Sequence, residues 1–134
     1  MKDKILYAED KETLREYIRI VLETYFPELE KESFQDGNSL EERLKGNLED
    51  VRLVITDNGM PGKNGSEIIK TYAKRPEFKD VRFILYYGGE PFTGEQAVKN
   101  YGAYASVLKG TKPEELIGKI REALNYSKPI TSSQ

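Results

Sequence analysis

Five short apolar runs, each followed by a stretch of helical periodicity and three of them halting at a charged residue, constrain this chain more than any other feature. Lys4-Ile5-Leu6-Tyr7-Ala8 is rich in strand formers and stops at Glu9-Asp10, as a buried central strand does. Leu14, Ile18, Val21, Leu22 and Tyr25 then recur at helical spacing up to Pro27, with Arg15, Glu16, Arg19 and Glu23 on the other side. Residues 31–35 form a weak second strand whose one large apolar side chain is Phe34, and the charges around it suit a sheet edge. Asp36-Gly37 marks a turn, and a short helix over 38–45 follows with Leu40 and Leu44 inward. Leu53-Val54-Ile55-Thr56 is the third strand and ends on Asp57.

Residues 58–65 read as a loop, and Ser66 is expected to cap a helix carrying Ile68, Ile69, Tyr72 and Ala73. The fourth strand covers 82–86 and ends at Tyr87-Gly88-Gly89. A helix over about 93–100 leads to a fifth strand, Ala105-Ser106-Val107-Leu108, which stops at Lys109. Thr111 and Glu114 stand at capping-box spacing before a last helix that runs to about Asn125 on Leu116, Ile117, Ile120 and Leu124. Strands alternating with helices, and no hairpin signal, imply right-handed crossovers: an α/β fold with a doubly wound, five-stranded parallel sheet. Ligands in such sheets bind beyond the carboxyl ends of the strands, which brings Glu9, Asp10, Asp57, Tyr87 and Lys109 to one edge.

The bulk properties narrow the chemistry. A length of 134 residues suits one domain, expected over residues 1–126, with 127–134 as a flexible C-terminal tail. Hydrophobic residues at 37% and charged residues at 33% describe a well-solvated globular surface. The net charge of −2 hides an asymmetry, because residues 1–62 carry 9 basic and 15 acidic side chains and residues 63–134 carry 12 and 8. The cations of the second half are interleaved with acids, so no basic stripe for nucleic-acid binding exists. With neither cysteine nor histidine, disulfides, imidazole catalysis and the usual zinc sites are excluded, and any metal must be held by oxygen. The apolar run near the N-terminus is too short for a signal-peptide core or a membrane span, and the chain is expected to be cytoplasmic.

Three carboxylates at one end of a sheet repel each other unless a cation sits among them or their pKa values rise. With oxygen ligands alone the natural cation is Mg2+, which takes one or two carboxylates together with a phosphate oxygen. Such a site suits phosphoryl transfer to a carboxylate nucleophile, with Lys109 near enough to complete the charge balance. Each residue taken singly has an ordinary alternative: Asp10 as a helix N-cap, Glu9 as a solvated acid, Asp57 in an Asx-turn, Lys109 as a surface cation. Their coincidence at three strand ends favours the chemical reading.

These motifs resemble the receiver domain of two-component response regulators over about residues 4–125. The resemblance rests on Glu9-Asp10, Asp57-x-x-Met60-Pro61 with Gly65 beyond, Gly102-Ala103, and Lys109, in the family's order and spacing. It implies a flavodoxin-like (βα)5 fold with strand order 2-1-3-4-5. It further implies that Asp57 accepts a phosphoryl group from a kinase phosphohistidine or a small acyl phosphate. Asp10, Asp57 and the Gly59 backbone carbonyl would bind Mg2+, Glu9 would act mostly through water, and Lys109 would contact the phosphoryl oxygens. The implied partners are a sensor histidine kinase or phosphotransfer protein and a downstream effector or output domain, without direct nucleic-acid or membrane binding, and a homodimer is compatible with it.

The chain departs from the family at its switch positions. Tyr87 stands where Ser or Thr is usual, Ser106 where an aromatic is usual, and Gly110 where a proline normally follows the lysine. The loop after strand five is therefore expected to differ. Gly59 and Gly89 are small at positions that in this family govern water access, implying a short-lived phosphorylated state. A phosphorylation-independent interaction module is the competing reading. An aspartate-nucleophile phosphatase would need a second acid where Gly59 stands, and neither a G-x-G-x-x-G nor a P-loop spacing is present.

Overall fold

Apolar side chains alternate between the two faces of the central strands, so each face needs its own cover of helices. The structure, a computed structural model, describes residues 3–89 and 91–126. Along the chain run β1 (Lys4–Ala8), α1 (Glu12–Tyr25), β2 (Glu30–Phe34), α2 (Gly37–Leu44), β3 (Val51–Thr56) and α3 (Gly65–Tyr72). Then come a 3-10 turn (Pro76–Phe78), β4 (Arg82–Tyr87), α4 (Pro91–Gln96), a π turn (Ala97–Tyr101), β5 (Ala105–Leu108) and α5 (Pro113–Tyr126). The strands form one sheet in the order β2-β1-β3-β4-β5, and every pairing is parallel. This is the doubly wound arrangement expected from the sequence. The expected tail, 127–134, lies outside the described residues.

Leu6, Ala8, Val54, Phe83, Leu85 and Tyr87 face one way and pack with Leu40 and Leu44 of α2 and Ile68, Ile69 and Tyr72 of α3. Ile5, Tyr7, Leu53, Ile55, Ile84, Tyr86, Ala105 and Val107 face the other way, against Ile18, Val21 and Leu22 of α1 and Leu116, Ile117 and Ile120 of α5. Tyr86 and Tyr87, neighbours in sequence, thus enter opposite core layers. The edge strand β2 buries little, and Lys4 and Arg43 pair with its Glu32 at 3.6 and 3.1 Å. Charges on an edge strand oppose pairing with a foreign strand.

Several helix starts differ from the sequence reading. Asn64, not Ser66, caps α3: its side chain accepts from the Glu67 N–H at 2.9 Å while Glu67 returns a bond to the Asn64 N–H at 3.3 Å, a full capping box. Thr111 does not open α5; its hydroxyl donates to the Leu108 carbonyl at 2.8 Å, and the helix begins at Pro113. Proline suits that first helical position, where its missing N–H would have no partner in any case. The helix expected over 93–100 divides into α4 and the π turn, and Gly102 at φ +99° ends the segment. Gly110 takes φ +91°, a value closed to proline, so the loop after β5 does carry a backbone of its own. No helix among the described residues is long and apolar enough to cross a membrane.

Candidate functional site

Parallel register decides which side chains meet. Ala8 pairs with Thr56, Thr56 with Leu85, and Tyr87 with Leu108, so β1, β3 and β5 release Glu9, Asp57 and Lys109 at the same edge. The Asp57 N–H donates to the Ala8 carbonyl at 2.9 Å and the Lys109 N–H to the Tyr87 carbonyl at 2.6 Å, which extends the ladder one step past the strands. Lys109 must still reach across the end of β4. It does so over Gly88, where an added Cβ would meet Lys109 Cδ at 3.9 Å.

The Lys109 ammonium lies 2.8 Å from Asp57 Oδ1 and 2.9 Å from Glu9 Oε1. Glu9 is wholly buried, and Asp57 is only 6% exposed. Glu9 also accepts the Lys11 N–H at 3.3 Å, while its carbonyl receives the Arg15 guanidinium at 2.8 Å. Burial pushes the Glu9 carboxyl above the usual carboxylate range, and the Asp57 charge adds to the rise against the opposing pull of Lys109. For Lys109 burial acts downward, but the bonds to Asp57 and Glu9 prevail and hold the ammonium above its ordinary value. Tyr86 adds its ring face, with Lys109 Nζ 5.9 Å from the centroid.

Carboxylate oxygens of Glu9, Asp10 and Asp57 all lie within 4.8 Å of one another. One ammonium cannot balance three acids. Asp10 Oδ1 is buried and has no hydrogen-bond partner, a costly condition for a carboxylate oxygen unless a cation occupies the site. The three acids therefore fit a hard, oxygen-liganded cation.

The ordinary roles weighed for these residues fare unequally. Asp10 does not cap α1, since the N-cap position is Lys11 and carries no side-chain cap bond. Asp57 Oδ1 accepts the Asn58 N–H at 2.7 Å, one residue on and not the two of an Asx-turn, a local bond that coexists with its place in the cluster. Gly59 is exposed, and a Cβ there or at Gly89 would have no atom within 4 Å. At the switch positions, the buried Tyr87 ring and the Ser106 hydroxyl both lie against Gly94 of α4: an added Gly94 Cβ would come within 2.5 Å of the ring and 2.6 Å of Ser106 Oγ.

Gly94 and Asn58 escaped the sequence reading. Gly94 matters only because α4 crosses β4 and β5 there, which no local pattern announces. Asn58 accepts from Met60 and Gly65 on its carbonyl and from the Ser66 N–H on its side chain at 2.9 Å. An Asn directly after a strand-ending Asp is the signal that could have found it.

The description of the response regulator receiver domain family matches residues 5–121. The chain is 30% identical over 114 residues to the cyclic di-GMP phosphodiesterase response regulator RpfG of Xanthomonas campestris pv. campestris (strain 8004), covering 84% of this chain and 29% of that protein. It is likewise 30% identical over 130 residues to the phosphate regulon transcriptional regulatory protein PhoB of Rhizobium meliloti (strain 1021), covering 96% of this chain and 55% of that protein. It thus spans less than two thirds of either relative. A response regulator receiver domain protein from Clostridium thermocellum superimposes with a TM-score of 0.80 at 25% identity, covering 92% of this chain and 95% of that one. With the match running from β1 into α5 and the same fold in a solved receiver domain, the chain belongs to the response regulator receiver domain family.

Proposed function

We propose that residues 1–126 form the phosphoacceptor switch of a two-component phosphorelay, with Asp57 as acceptor. The observation that carries this reading is the Lys109 ammonium shared between Asp57 and Glu9 at 2.8 and 2.9 Å, beside the unpartnered Asp10 Oδ1. An Asp57 oxygen attacks phosphorus; a P–O bond forms as the P–N bond of a kinase or phosphotransfer phosphohistidine breaks, and the imidazole departs with a proton. A small acyl phosphate serves equally, leaving as its carboxylate. Lys109 follows the new charge from Asp57 onto the phosphoryl oxygens. Asp10, Asp57 and the Gly59 carbonyl hold Mg2+, with Glu9 acting mostly through water, and the ion's contribution is to neutralise charge on the phosphoryl group.

The chemistry is confined to the protein's own phosphorylation and dephosphorylation, for no acid stands two residues beyond Asp57. The site works in the cytoplasm, upstream of an effector protein or output domain, and a homodimer is one form the output can take. A second reading has one observation in its favour. Tyr87 is already buried against Gly94 beside Ser106, which suits a fixed interaction module that ignores phosphorylation.

Incubation with acetyl phosphate or phosphoramidate plus Mg2+ separates the two. The switch gains one phosphoryl mass, and Asp57→Asn abolishes the gain. No increment on the wild type would favour the interaction module.

A further inference from the structure

The loop between β3 and α3 carries Gly59, which is exposed and has no side chain to anchor it, while the next residue, Met60, is buried in the core. The place of Gly59 must come from anchors on either side. The α3 side has been described, with Asn58 bonded to Met60, Gly65 and Ser66. A further anchor is α2, which contributes no residue to the acidic site.

Residues 61–63 lie against the first turn of α2. The Gly37 N–H donates to the Pro61 carbonyl at 3.0 Å, and an added Gly37 Cβ would stand 1.8 Å from the Lys63 carbonyl oxygen. One helical turn along the same face, Glu41 Oε2 accepts from Lys63 Nζ at 3.0 Å. The same oxygen accepts the Tyr72 hydroxyl at 2.7 Å, from the last turn of α3. Tyr72 is buried, and burial together with Glu41 pushes its hydroxyl up to about 12, so it remains a donor across the neutral range. The Tyr72 bond in turn holds the Glu41 carboxyl below its ordinary range, and Glu41 is ionised at neutral pH. Glu41 therefore ties the loop, α2 and α3 together at one atom.

We propose that Glu41 is a positioning residue for the divalent-cation site: acting through Lys63, it fixes the loop that carries Gly59 relative to Asp57. The proposal rests on the Mg2+ reading above. It concerns no ligand and no reacting group, only the rigidity of the backbone that supplies one ligand.

The test is a Mg2+ titration of the isotope-labelled protein, following the amide resonances of Asp10, Asp57 and Gly59. The variants are Glu41→Gln, Lys63→Gln and the exchanged pair Glu41→Lys/Lys63→Glu, and urea unfolding without metal runs in parallel. If the latch positions the loop, both single variants bind Mg2+ more weakly, by less than the roughly tenfold lost when a group bonded directly to a metal ligand is removed. The exchanged pair keeps the ion pair and the net charge but gives the Tyr72 hydroxyl no acceptor, so it binds Mg2+ more tightly than either single variant without reaching the wild type. Simple electrostatics predicts opposite signs, since Glu41→Gln removes a negative charge and Lys63→Gln a positive one. Opposite shifts, or unchanged affinity with only the urea midpoint moving, would overturn the proposal. A wild type without any Mg2+-dependent shift would overturn the cation reading itself and this inference with it.

Discussion

At the scale of single residues, Lys109 has the largest consequences, because one ammonium serves two buried carboxylates. Lys109→Met leaves Glu9 and Asp57 without that partner, and breaking a buried pair in this way costs about 3 kcal/mol. Urea unfolding at neutral pH without metal should show that deficit. The Glu9 carboxyl is raised in the folded state, so its stabilising contribution is present below the ordinary carboxylate range and lost as pH rises through the folded value. The deficit of Lys109→Met should therefore narrow as pH falls and Glu9 takes up a proton. A pH-independent deficit would argue against Lys109 as the counter-charge. Gly59 poses a separate question of access. Its open Cβ position has room for a larger side chain two residues from Asp57, so Gly59→Leu should lengthen the life of the phosphorylated protein that the proposed function requires, measured by loss of the mass increment over time. An unchanged lifetime would remove Gly59 from the control of water entry.

At the scale of elements, three glycines make contrasting tests of how tightly the site's supports are packed. Gly37 begins α2 and Gly65 begins α3, and added Cβ atoms there would stand 1.8 Å from the Lys63 carbonyl and 2.1 Å from the Asp57 carbonyl. Backbone cannot retreat cheaply, so Gly37→Ala and Gly65→Ala should each lower stability by about 1–3 kcal/mol, the cost of overpacking. Gly118, inside α5, has open space around its Cβ. Gly118→Ala should raise stability by about 0.5–1 kcal/mol through helix propensity alone. Thermal midpoints of the three variants check the pattern. At this cap the sequence is a sufficient guide. Ser66 is the expected cap, but Asn64 and Glu67 stand at capping-box spacing whereas Ile69, three beyond Ser66, cannot close a box, so the local pattern already favours Asn64.

At the scale of the whole molecule, metal binding couples to folding. A ligand that binds only the native state stabilises it by about 2.7 kcal/mol at a hundredfold excess over its dissociation constant. Mg2+ at that excess should raise the unfolding midpoint of the wild type, and Asp10→Asn should lose most of that gain while raising the metal-free midpoint, because it removes a carboxylate charge that has no protein partner. A wild-type midpoint indifferent to Mg2+ would count against the site. The two core layers on opposite faces of one sheet share β1, β3, β4 and β5, so unfolding should register at both together.

Much of this protein was legible in its sequence, because strand ends and helix periodicity are local. The runs ending in Glu9-Asp10, Asp57 and Lys109 determined a parallel α/β sheet and the charged groups at its carboxyl edge, since side-chain period and turn chemistry act over a few residues. Tertiary structure decided the rest. It set Lys109 across Gly88 onto two carboxylates, left Asp10 Oδ1 without a protein partner, brought Tyr87 and Ser106 against Gly94, and latched the Gly59 loop to Glu41. Each of these joins residues from elements far apart in the chain, and such distances are closed only by the packing of helices onto the sheet.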